Sequence, residues 1–62
     1  MAKHFKDFYG CSATIWVNGD GSAHLVIYNR QEMIVDKYYN SFRGAKISMG
    51  KYSDGWYELK GV

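Results

Sequence analysis

The segment Ser12–Asn29 constrains the fold more than any other part of the chain. Ser12–Asn18 and Ser22–Asn29 are both rich in β-branched and aromatic residues, and Gly19-Asp20-Gly21 lies between them. Three residues ending in a glycine suit a turn whose last position has φ > 0 and closes a G1 bulge, so the two runs read as a β-hairpin. In that register Val17 faces Ala23, Ile15 faces Leu25 and Ala13 faces Ile27. Alternation then gives one aliphatic face. Trp16, His24, Val26 and Tyr28 point the other way.

A third run, Met33–Tyr39, follows the polar turn Asn29-Arg30-Gln31-Glu32. A loop of two or three residues fits this turn, and a one-residue slip exchanges the faces. The three-residue loop is preferred; it places Met33, Val35 and Tyr39 on the aliphatic side, and Ile34 and Tyr38 on the other. Asn40-Ser41 supplies an N-cap, and Phe42, Ala45, Met49 and Tyr52 recur at helical spacing. A helix over 41–49, extending at most to 51, is predicted, with Gly44 costing it about 1 kcal/mol relative to Ala and Gly50 at its stop. Ser53-Asp54-Gly55 makes a turn into a last short strand, Trp56–Lys60. Phe5, Phe8 and Tyr9 fit either a helical turn or a strand entering the hairpin. The predicted fold is α+β: a small antiparallel sheet of three to four strands packed by one helix, in the order β-β-β-α-β. With no proline, repeat or low-complexity stretch, residues 1–62 form one domain.

A chain of 62 residues buries a modest core and has little stability to spare. Small domains compensate with disulfides, metals or self-association. Cys11 is the sole cysteine, so no disulfide forms within the chain, and His4, His24 and Cys11 lack the spacing of a zinc site. Neither metal nor cofactor is expected, and self-association remains. No run reaches the ~20 apolar residues of a membrane span, and Met1–Asp7 lacks the apolar stretch of a signal peptide, so no membrane role and a cytoplasmic location are expected. The net charge of +2 is too small to mark a dedicated nucleic-acid binder.

Catalysis finds little material. A nucleophile needs a base within hydrogen-bond reach, and only Cys11 with His4 or His24 offers the pair. There is no carboxylate pair, nucleophile elbow or phosphate-binding GxxxxGK[ST] loop. A non-enzyme is expected.

Aromatic residues make up 18% of the chain, a high share that needs a destination. One helix covers one face of a sheet, which leaves Trp16, Tyr28, Ile34 and Tyr38 on the second face. Such a patch marks a contact surface, and Trp and Tyr are enriched at interface hot spots. Either Phe5, Phe8 and Tyr9, or the Trp56-Tyr57 segment, fold over this face and make a second core, or a second copy or another protein covers it. The outer helix face adds Arg43, Lys46, Ile47 and Lys51, a basic stripe with one unexplained apolar residue. The same rings and cations also suit single-stranded nucleic acid, held by base stacking and backbone attraction.

The Gly19-Asp20-Gly21 turn, the Asn29–Glu32 turn and the entry Tyr39-Asn40-Ser41 into Gly44-Ala45-Lys46 resemble the repeat unit of the small YegP-like (DUF1508) domains. That resemblance spans Ser12–Met49 and implies a β-β-β-α unit that is often repeated in tandem, so that a single copy dimerises to supply the missing half. It implies no catalytic residue. In size and character the chain also looks like the accessory proteins of phages and mobile elements, many of which inhibit host defence enzymes by occupying a surface. The expected function is therefore a homodimeric protein-binding module of that kind, with single-stranded nucleic-acid binding as the alternative.

Overall fold

A computed structural model describes residues 1–60. Among these residues five strands and one helix follow in the order β1 (Ala2–Lys6), β2 (Cys11–Val17), β3 (Ala23–Asn29), β4 (Glu32–Tyr39), α1 (Phe42–Met49) and β5 (Tyr57–Glu58). The strands form one sheet with spatial order β4-β3-β2-β1-β5, antiparallel at every pairing.

The hairpin β2–β3 forms in the expected register, with Val17 opposite Ala23, Ile15 opposite Leu25 and Ala13 opposite Ile27. At its turn the Asn18 amide donates to the Ser22 carbonyl at 2.9 Å and the Gly21 amide to the Asn18 carbonyl at 3.0 Å. Gly21 has φ +90°, where a side chain would be strained. Asp20 Oδ1 accepts from the Ser22 hydroxyl at 2.7 Å and the Ser22 amide at 3.0 Å, and these bonds hold the Asp20 carboxyl below its ordinary value.

The sheet is wider than the three to four strands expected, because the N-terminal segment is a strand. β1 pairs along β2 from Ala2 opposite Trp16 to Lys6 opposite Ser12. Phe5 thereby enters the core on the aliphatic face. At the other edge, β4 joins β3 through a two-residue turn, Arg30-Gln31, with Asn29 opposite Glu32. This corrects the preferred three-residue loop. Met33 lies opposite Tyr28, away from the helix, and a bulge at Ile34 then shifts the register so that Val35 faces Ile27 and Tyr39 faces Ala23. The bulge inserts the extra residue that the turn lacks, so Val35 and Tyr39 keep their predicted side while Met33 does not.

Helix α1 starts at the N-cap Ser41, whose Oγ accepts from the Gly44 amide at 3.1 Å, and ends at Gly50. It lies on the aliphatic face and carries the chain from the β4 edge towards β5. Ala45 and Met49 are buried against Phe5, Ala13, Ile15, Leu25, Ile27 and Val35, with Phe42 partly buried beside them. Tyr52, expected to extend this stripe, falls beyond the last turn and is exposed. Tyr39 OH and Ser48 Oγ meet at 2.7 Å and tie β4 to the helix. Trp56 packs on the core and donates from Nε1 to the Met49 carbonyl at 2.8 Å. Among the described residues the last strand is shorter than predicted: Tyr57 and Glu58 pair with β1, and the Leu59 amide donates to the His4 carbonyl at 2.8 Å.

Truncating Leu25, which is fully buried, to Ala is expected to lower the unfolding free energy by about 2–5 kcal/mol. Ile47→Ala, at 59% exposure, is expected to change it by less than about 0.5 kcal/mol. Urea unfolding followed by far-UV circular dichroism measures both.

Candidate functional site

Side chains alternate along each strand, so the pairings that build the core also lay out the opposite face. Three cross-strand rows result. Ala2, Trp16, His24 and Tyr38 form the first; His4, Thr14, Val26 and Asp36 the second; and Lys6, Ser12, Tyr28 and Met33 the third, with Tyr57 beside Lys6. Among the described residues no element packs across these rows. Of the segments expected to cover them, Phe5 and Trp56 pack on the helix side, Phe8 and Tyr9 are exposed, and Tyr57 lies only at the margin of the third row, with Phe8 against it at 5.2 Å between ring centroids.

The first row is an ordered stack. The His24 and Tyr38 rings are stacked, parallel within 8° at 4.1 Å between centroids, and Trp16 lies 5.4 Å from His24 on the other side, tilted by 32°. His24 is fixed by a short hydrogen bond between Nε2 and Asp36 Oδ1, which crosses from the first row to the second. Adjacent strands are about 4.8 Å apart, so parallel rings at 4.1 Å turn their faces to each other across the strands and their edges outward. Beside the stack, His4 Nδ1 meets Thr14 Oγ1 at 3.0 Å. Val26 sits between these groups, 7% exposed, as an apolar floor.

Of the residues expected to bind a partner, Trp16, Tyr28 and Tyr38 share this face, at 42%, 38% and 72% exposure. Ile34 is the bulge residue at the β4 edge and is also exposed. Arg43, Lys46, Ile47 and Lys51 belong to the helical layer and do not join them. Lys46 has a packing role there, its Nζ lying 5.9 Å from the Phe5 ring centroid and 6.0 Å from that of Phe42. Sequence reasoning missed the fixing of His24 by Asp36: alternation with Ile34 and Tyr38 already puts Asp36 on this face, but it does not reveal a diagonal hydrogen bond between two rows.

A second feature lies at the other end of β2. Where the β1–β2 turn meets the β3–β4 turn, Lys6, Asp7, Gly10, Cys11, Ser12 and Arg30 line a cavity of about 370 Å³. Asp7 organises it. Its Oδ1 accepts from the Cys11 amide at 2.7 Å and the Tyr9 amide at 3.0 Å, and its Oδ2 is sealed from solvent without a well-formed hydrogen bond. Burial by itself raises the Asp7 carboxyl, but the neighbouring Ser53 hydroxyl and the Cys11 and Tyr9 amides outweigh it, leaving the group below its ordinary 3.8. Burial, reinforced by the Asp7 charge, pushes the Cys11 thiol above its ordinary 9.0. Such a thiol stays protonated at neutral pH and is a poor nucleophile.

Comparison with known protein families, with characterised proteins and with solved structures finds no match. Fold and site define a small α+β domain with one face of its sheet closed by a helix and the other face open. No helix among the described residues is long and apolar enough to cross a membrane.

Because the folded-state value of Asp7 is depressed, its contribution to stability is complete above the ordinary carboxyl value near 3.8 and disappears as pH falls through the lower folded value. Asp7→Asn is expected to lower stability at pH 7 and to flatten that part of the acid limb, which thermal melts between pH 2 and pH 7 would show. Cys11 is expected to react slowly with iodoacetamide at pH 7 and faster only as pH rises beyond the ordinary thiol value.

Proposed function

We propose that this chain is a non-catalytic protein-binding module that docks through its open sheet face, and that a second copy of itself is one partner. The observation that carries this reading is the Trp16–His24–Tyr38 stack standing over the buried Val26, with no covering element among the described residues. Rings held in place by neighbours lose little entropy on binding and make efficient anchors. An isologous two-fold contact lets the same patch serve both copies. By occupying a surface, a module of this kind blocks or bridges its partner.

Two features favour the face over the sheet edge. β4 is a long edge strand, but the bulge at Ile34 and the adjacent charges Asp36 and Lys37 oppose strand addition. The ring geometry also favours this reading over nucleic-acid binding. Bases stack on ring faces, and the His24 ring has a neighbour on each side, Tyr38 and Trp16.

Sedimentation equilibrium is expected to show concentration-dependent dimerisation. Tyr38→Lys, at an exposed position, is expected to weaken it at least about tenfold, or about 1.4 kcal/mol, with thermal stability of the monomer retained. A chain that stays monomeric at the highest attainable concentration contradicts self-association. Oligonucleotide binding that weakens steeply with salt would instead favour the nucleic-acid reading.

A further inference from the structure

The cavity between the two turns collects positive charge that the fold does not use. Lys6 and Arg30 line it, and among the described residues neither lies within ion-pair distance of a carboxylate. The one acid present, Asp7, is committed to the Tyr9 and Cys11 amides through Oδ1, while its Oδ2 is sealed from solvent. Cys11 adds no negative charge at neutral pH, its thiol being held above the ordinary range. Ser12 lies opposite Lys6 across the β1–β2 pair, and among the described residues its hydroxyl has no hydrogen-bond partner.

Arg30 is placed here by the β3–β4 turn. It has φ +61°, the conformation that the first position of a two-residue hairpin turn takes. Its amide donates to the Gly10 carbonyl at 2.9 Å. Gly10, at φ +95°, has no side chain, and a Cβ there would sit 3.5 Å from both Cγ and Nε of Arg30. That separation is ordinary van der Waals contact, so the stem of Arg30 lies directly over Gly10.

We propose that Lys6, Ser12 and Arg30 form a binding site for a phosphate-type oxyanion, either the free ion or the phosphate group of a small monoester. Arg30 supplies a planar fork of donors matched to phosphate oxygens, Lys6 a second charge and Ser12 a hydroxyl donor. The site lies at the opposite end of β2 from Trp16, where Lys6 and Ser12 occupy the third row of the open face beside Tyr28 and Arg30 belongs to the adjoining turn.

The test is titration of the full chain with inorganic phosphate at constant ionic strength, followed by amide chemical shifts, with methyl phosphate as a second arm and chloride as control. Saturable shifts are expected at Gly10, Cys11, Ser12 and Arg30. Arg30→Gly removes the guanidinium and relieves the positive φ, so it is expected to fold with equal or higher thermal stability and to bind at least tenfold more weakly; Lys6→Met is expected to weaken binding by a smaller factor. Trp16→Ala is expected to leave it unchanged. Tighter binding of methyl phosphate than of inorganic phosphate assigns the site to a phosphorylated molecule, and equal binding assigns it to the ion. Shifts that do not saturate, that chloride reproduces, or that persist undiminished in Arg30→Gly overturn the proposal.

Discussion

The pairing of β2 with β3 is the constraint on which the rest of the structure depends. By setting Ala13, Ile15 and Val17 against Ile27, Leu25 and Ala23, it collects the aliphatic side chains on one face and commits the aromatic ones to the other. A slip of one residue would exchange the two sets. Gly21 in its left-handed turn and the Asp20–Ser22 bonds hold that register, and every later element is fitted to it. β1 extends the aliphatic face with Phe5, β4 extends it with Val35 and Tyr39, and α1 closes it with Ala45 and Met49.

One layer of helix over a five-stranded sheet leaves the far side open. This asymmetry connects the fold to its proposed role. Trp16, His24 and Tyr38 are ordered on the open side by stacking and by the Asp36 hydrogen bond rather than by burial in a core. A face that is apolar at Val26, ringed by fixed aromatics and flanked by a guarded edge is suited to another folded surface. At the turn cavity the Arg30 amide donates to the Gly10 carbonyl, and this bond sets the β3–β4 turn, with its cation, over the β1–β2 turn.

Much of this was legible in the residues. The hairpin turn, its register and the helix with its Ser41 cap follow from local chemistry, because glycine at φ > 0, β-branched alternation and an N-cap hydroxyl act over a few residues. The face shared by Trp16, Tyr28 and Tyr38 followed from parity alone. What escaped was set by distant contacts. Phe5 reads equally as helical or extended until β2 offers it a partner strand, and a chain read alone does not show that pairing. The two-residue turn moves Met33 to the other side, and the bulge at Ile34 restores the predicted sides of Val35 and Asp36, a compensation that parity does not reveal. Tyr52 kept helical spacing past the point where the helix had ended. Lys6 and Arg30 are 24 positions apart and meet only because two turns lie at the same end of the sheet.

The open face as a docking surface is the central claim, and isotope-filtered NOE spectroscopy on a mixture of labelled and unlabelled chains tests it most directly. Intermolecular contacts from the Trp16, Tyr28 and Tyr38 rings are the predicted result. Contacts confined to the helical layer around Ile47, or none at concentrations where the chain self-associates, would contradict it.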